Sequence, residues 1–165
     1  MSVDTLKQLY LHELKDLYSA DKQARGALSK LAAAASHADL KGALEASAAG
    51  CTDGMDAISS VLEAHGEKPT GKHCKGMEGL VNEAEAHALK EDFGDSAVQD
   101  ASIISQAQRM THYALAGYGT AEAFAKQIGC DMGIQHMKNC LDATYDGDRT
   151  LTKLAEGAVN ENAAA

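Results

Sequence analysis

The sequence has a single proline, Pro69, and no regular alternation of β-branched or aromatic residues with polar ones. Because proline interrupts helices, a chain with so little of it has room for very long helices. Alanine and leucine, which are strong helix formers, are plentiful. The sequence therefore predicts an all-α protein.

The chain also lacks any apolar run of about 20 residues, the length needed to cross a bilayer. Its first ten residues, MSVDTLKQLY, contain no apolar stretch of the kind found in secretory signals. The formal net charge of −9 disfavours nucleic acids and anionic membranes as partners. We therefore expect a cytoplasmic protein, with 165 residues forming one domain over positions 1–165.

The cysteines form no CxxC pair, so a zinc or thioredoxin-like motif is not indicated. In a cytoplasmic chain, cysteines are expected to stay reduced and to pack as small apolar side chains. This expectation applies to Cys51, Cys74, Cys130 and Cys140.

Apolar residues recur at alternating spacings of three and four along four long stretches, as on the buried face of a helix. A shorter stretch of the same kind follows the loop that contains Pro69. These features predict an all-α, ferritin-like four-helix bundle with a short crossover helix between the second and third long helices. The long helices are predicted at about Val3–Ala35, Asp39–His65, Ser96–Ile128 and Asp131–Val159, the crossover helix at Cys74–Lys90, and a frayed tail at 160–165.

The apolar stripes lose bulk in the middle of the helices. On the second helix, Gly50 and Gly54 each cost about 1 kcal/mol of helix propensity relative to alanine, which indicates a close backbone approach or space for another group. On the third long helix, the thinning falls on Thr111 and Ala114. Bundles of this type build metal sites from acids at mid-height, so the thinning bears on function.

Asp21 lies in the middle of an otherwise apolar stripe on the first helix. A carboxylate in that position needs a partner, because burying it without one is costly. Two roles remain open from the residues alone. Asp21 either binds a metal, or it lies at the edge of the stripe or accepts a hydrogen bond from a tyrosine or threonine.

Three motifs carry a resemblance to a known family: HELKDLYSADKQ at 12–23, CKGMEGLVNEA at 74–84 and THYALAGYGT at 111–120. With them the chain resembles, from about Asp4 to Val159, the YciE/YciF-type ferritin-like family. This is a group of stress-associated bacterial proteins of poorly defined function. The resemblance implies a ferritin-like bundle and a homodimer.

Members of this family that look competent to bind two metals carry acids on the inward faces of the long helices. The resemblance places four residues of this chain at vacated ligand positions or around a possible cavity: Gly50, Thr111, Ala114 and Thr144. Asp21 and Asp148 are the acids that remain inside, and they are the candidate metal ligands. Two aspartates are too few to hold two ions, since such a site normally takes about six protein ligands.

Two functions follow from this comparison. The first is a stress-related bundle with a degenerate di-metal site and a structural or binding role, in which the missing acids leave a central cavity or let the helices close in. The alternative is a metal-dependent oxidase or peroxidase in the rubrerythrin style, with iron or manganese at a reduced or mononuclear site. Neither hypothesis assigns a catalytic residue, and only the alternative names a cofactor, iron or manganese.

Overall fold

A computed structural model describes residues 3–165, in which helices are connected by short loops and no strand occurs. Four long helices and one short helix between the second and third of them confirm the predicted architecture. The boundaries are α1 Leu6–Ala34, α2 Ala38–Ala64, α3 Lys75–Ala84, α4 Ser96–Ile128 and α5 Asp131–Leu154.

The four long helices pack as the corners of a square. α1 contacts α2 and α4, and α5 contacts the same two helices, so α1 and α5 lie on one diagonal. Short links make α1 and α2 antiparallel neighbours, as they do α4 and α5. The crossover helix α3 packs against α1 and α4 on the outside of the bundle.

The long helices begin and end with recognisable caps. Thr5 Oγ1 accepts a hydrogen bond from Gln8 N at 3.1 Å, and the Gln8 side chain accepts one from Thr5 N at 3.0 Å. This reciprocal pair satisfies backbone donors that have no partner within the helix. Gly129 ends α4 in the left-handed region, with φ of +70°, which glycine adopts readily.

The last residues continue in helical form beyond α5, and fraying at 160–165 stays a prediction. After α5 the chain makes a π-helical turn, Ala155–Val159, with a kink at Gly157, and then a short helix, α6, Asn160–Ala163. Val159 is 2% exposed, and α6 contacts α4. Burial of this valine fixes the segment, and sequence position alone gave no sign of it.

The hydrophobic core consists of two clusters, one toward each end of the bundle. The first includes Leu31, Leu40 and Ile103, and the second includes Tyr10, Leu14 and Ile58. Within residues 3–165, each helix is too short or too polar to cross a membrane. The cytoplasmic location and the homodimer stay predictions.

Asp100, near the start of α4, was given no role by the sequence. Its side chain is 3% exposed and accepts hydrogen bonds from the backbone N–H groups of Ser36 and His37, both at 2.8 Å. These donors belong to the link between α1 and α2. Asp100 therefore ties that link to the beginning of α4.

Replacing Asp100 by alanine should destabilise the protein by about 3 kcal/mol, because two partly buried backbone donors lose their buried carboxylate acceptor. The measurement is the free energy of unfolding in urea. Asp95→Ala is the matched control, since Asp95 caps the same helix through one exposed bond, from Ala97 N at 2.6 Å. The control should cost about 1 kcal/mol. Equal losses in both variants would contradict the role given to Asp100.

Candidate functional site: the central cavity

Asp21 lies at mid-height on α1, between the two hydrophobic clusters, and is 3% exposed. Tyr118 of α4 donates its hydroxyl hydrogen to Asp21 Oδ2 over 2.5 Å. The structure thus gives Asp21 the second of its two predicted roles, as acceptor of a hydrogen bond from a tyrosine. The pair connects two neighbouring helices through the centre of the bundle.

Burial raises the pKa of Asp21 to about 7, and the hydrogen bond from Tyr118 offsets only part of this rise. Burial also raises the pKa of Tyr118 well above its usual value, and the nearby Asp21 carboxylate adds to the effect. The tyrosine therefore stays neutral and keeps its hydrogen to donate. The aspartate changes its charge near neutral pH.

Two glycines of α2 have different roles around this pair. A Cβ on Gly54 would lie 2.8 Å from Asp21 Oδ2 and 3.3 Å from Tyr118 Cζ, so only glycine leaves room for the hydrogen bond. A Cβ on Gly50 would meet nothing within 4 Å. The sequence suggested two reasons for glycine in the middle of this helix. Gly54 allows the close approach of the Asp21–Tyr118 pair, and Gly50 leaves space unfilled.

The empty space is a cavity of about 750 Å³ between α2 and α5, with α1 and α4 at its base. Gly50, Thr111, Ala114 and Thr144 all line it. Asp21 and Tyr118 lie at its base, and much of the remaining wall consists of alanine side chains, most of them from α2 and one, Ala143, from α5. The structure thus brings together the four residues placed by the resemblance at vacated ligand positions.

Two cysteines lie in the wall, Cys51 on α2 and Cys140 on α5. Burial raises the pKa of the Cys51 thiol to about 12 and that of the Cys140 thiol to about 11, and the charge of Asp21 adds to both shifts. Both therefore stay protonated thiols at neutral pH. A thiol is neither a strong nucleophile nor a good metal ligand, since both roles need the thiolate. All four cysteines are unpaired.

Asp148 does not join Asp21, which corrects the prediction that both acids lie inside. Its side chain is 20% exposed, and Oδ1 accepts a hydrogen bond from Gln108 Nε2 at 3.1 Å and lies 3.0 Å from His112 Nε2. These residues border a separate depression between α4 and α5. α5 is turned so that Thr144 and Gly147 face the cavity instead.

The side chains around the cavity do not fit a pair of metal ions. Among residues 3–165, no three His, Cys, Asp or Glu side chains lie close enough together to hold an ion. Iron and manganese need several oxygen or nitrogen ligands, which this centre does not supply.

A second polar cluster, which sequence reasoning missed, fixes α3 against the bundle. Tyr113 Oη lies 3.0 Å from Cys74 Sγ and donates to Asp16 Oδ2 at 3.3 Å. A Cβ on Gly76 would lie 2.8 Å from the Tyr113 ring, so the ring packs directly on the α3 backbone. Residues from all three motifs of the family resemblance meet here. The presence of the three motifs in one sequence was the signal that could have predicted this cluster.

Comparisons with known proteins agree with this architecture. The family described as a domain of unknown function, DUF892, matches residues 5–164. Protein YciF of Escherichia coli strain K12 is 35% identical over 164 residues, which cover 99% of this chain and 98% of YciF.

Two solved structures are similar over nearly their whole length. The crystal structure of the E. coli stress protein YciF has a TM-score of 0.87 and 34% identity, and the match covers 96% of this chain and 99% of YciF. YcfI from Rhodopseudomonas palustris, provisionally described as a structural protein, has a TM-score of 0.86 and 30% identity, covering 92% and 95% of the two chains. Both proteins therefore have the same fold as this chain.

Titration of Asp21 should make stability depend on pH. The pKa of Asp21 is about 7 in the folded protein and 3.8 when free, so the stability that this group contributes at low pH is lost as the pH rises through that interval. Asp21→Asn removes the titration. The unfolding free energy of the variant minus that of the wild type should therefore increase between about pH 4 and pH 8, by on the order of 4 kcal/mol.

Urea denaturation at several pH values measures this difference. Asp148→Asn is the matched control, because it removes an acid outside the cavity and leaves Asp21 intact. The control should keep the pH dependence of the wild type. Parallel curves for Asp21→Asn and the wild type would show that Asp21 does not titrate as described.

Proposed function

Since this chain belongs to the DUF892 family, we propose that it is a stress-related, ferritin-like bundle whose di-metal site has given way to a cavity that binds a small molecule. One observation carries this proposal. The four positions that resemble metal-ligand positions of the family border a single cavity of about 750 Å³. The description of E. coli YciF as a stress protein supports the physiological part of the proposal.

The size and composition of the cavity support a binding role. Sites for small molecules usually measure about 300–1,000 Å³ and combine apolar walls with a few polar groups. Here alanines, most of them from α2, supply apolar walls, and Asp21 and Tyr118 supply buried polar groups at the base. Small residues would have let the helices close in, yet space remains between α2 and α5.

The alternative function, a metal-dependent oxidase or peroxidase with iron or manganese, has no comparable support. Its candidate ligands, Asp21 and Asp148, border different depressions. Thr111 and Ala114 offer no carboxylate, and the Cys51 and Cys140 thiols are protonated. We therefore place the chemistry of this protein in binding rather than in oxygen activation.

Protein purified without added metal should contain much less than one iron or manganese ion per chain, because the ligand set is incomplete. Elemental analysis measures this directly. The variant Gly50→Glu/Thr111→Glu/Ala114→Glu returns carboxylates to the cavity and should bind Fe(II) more tightly than the wild type in an equilibrium titration. Two ions per wild-type chain would refute the loss of the site.

Filling the cavity should abolish binding of a neutral probe, 1-hexanol. Ala114→Phe projects a ring from α4 into the space, so the rise in melting temperature that 1-hexanol gives the wild type should disappear. Ala116→Phe is the matched control, since Ala116 lies on the same helix but is exposed. The control should keep the rise. A rise that survives in Ala114→Phe would place the probe elsewhere and count against the proposal.

A further inference from the structure

The cavity is acidic in character. Besides Asp21 at its base, Asp53 of α2 and Asp146 of α5 lie at its exposed rim, and Asp146 Oδ1 accepts a hydrogen bond from Arg149 Nη1 at 2.7 Å. Among residues 3–165, no lysine or arginine lines the cavity. His136 is the remaining titratable base in the wall. A site with acids at its base and at its rim, and with no lysine or arginine in its lining, favours a positively charged ligand over a negatively charged one.

Asp21 offers an acceptor to such a ligand. The hydrogen bond from Tyr118 uses Oδ2 and leaves Oδ1 without a donor among residues 3–165. Because Asp21 is 3% exposed, a charged donor that reaches Oδ1 is itself withdrawn from water. A buried carboxylate and a buried cation are each costly alone, and a direct hydrogen bond between them compensates for part of that cost.

The rest of the wall selects against a bare metal ion. No three metal-binding side chains lie together within residues 3–165, and the space is far larger than one ion needs. Ala24, Leu28 and Met110 extend the apolar surface above Asp21. A ligand that matches both features carries one charged nitrogen and a hydrocarbon body.

Building on the binding role proposed above, we propose that this cavity binds a small primary or secondary organic ammonium ion. An N–H group of the ion donates to Asp21 Oδ1, and its hydrocarbon part fills the space between α2 and α5. Tyr118 acts as a positioning residue, because its hydrogen bond fixes the carboxyl group for the ligand.

The charge balance of binding follows from the groups around Asp21. Burial keeps the thiols of Cys51 and Cys140 and the phenol of Tyr118 neutral. Arg25 of α1 acts on the Cys51 thiol and lowers its pKa against the larger effect of burial, and His136, Asp53 and Asp146 line the cavity farther from its base. Below about pH 7 the Asp21 proton must leave when an ammonium ion binds. Binding therefore releases up to one proton, and affinity falls as the pH falls.

Isothermal titration calorimetry with hexylamine, 1-hexanol and hexanoate tests this inference on the full chain. At about pH 8 hexylamine is protonated, as a lysine side chain is. It should bind at least about tenfold more tightly than 1-hexanol, a preference of about 1.4 kcal/mol, and hexanoate should bind weakest. At about pH 6 its heat of binding should differ between buffers of different ionisation enthalpy, because a proton is released.

Asp21→Asn should remove the preference for hexylamine over 1-hexanol, and Asp148→Asn should keep it. The exposed double variant Asp53→Asn/Asp146→Asn tests the rim without disturbing the core, and it should weaken hexylamine binding by about two- to fivefold, less so in high salt.

Equal or tighter binding of 1-hexanol, or a preference that survives Asp21→Asn, would overturn the inference and leave the binding cavity standing. Failure of all three probes would instead overturn both proposals. An affinity for hexylamine that falls as the protein concentration rises would show that a second copy of the chain occupies the cavity. That result would also overturn the inference.

Discussion

The hydrogen bond from Tyr118 to Asp21 determines the arrangement of the bundle centre. It joins neighbouring helices through a carboxyl group that is only 3% exposed. Gly54 is required beside it because a Cβ there would collide with both partners. The aspartate balances two costs, since staying protonated avoids burying a charge, while ionising makes it a stronger acceptor.

The hydrophobic contribution to stability comes from the two ends of the bundle, and its middle is left for other purposes. Leu31, Leu40 and Ile103 fill one end, and Tyr10, Leu14 and Ile58 fill the other. Each cluster is continuous across several helices, so the space between them need not be packed to hold the fold. A chain built in this way keeps its fold with small side chains in the middle of the bundle.

The long helices were predictable because one proline and a sustained three-and-four spacing permit few alternatives. The same spacing could not show which face of α5 carries Asp148. Successive residues of a helix differ in direction by about 100°, so an error of one position moves a side chain to another face. The position of Asp148 was set by Gln108 and His112, which lie on another helix. Asp100 was missed for a related reason, because its partners are 63 and 64 residues away in sequence. Only tertiary contacts reveal either one.

The ends of α2 are held independently of its middle. Asp100 accepts hydrogen bonds from the link just before α2, and just after α2 His65 Nε2 lies 3.5 Å from Cys130 Sγ at the start of α5. Because contacts hold both of its ends, α2 is not free to rotate outward about either end. If the cavity binds a molecule as proposed, the spacing of α2 and α5 limits the width of that molecule, independently of the polar groups at the base.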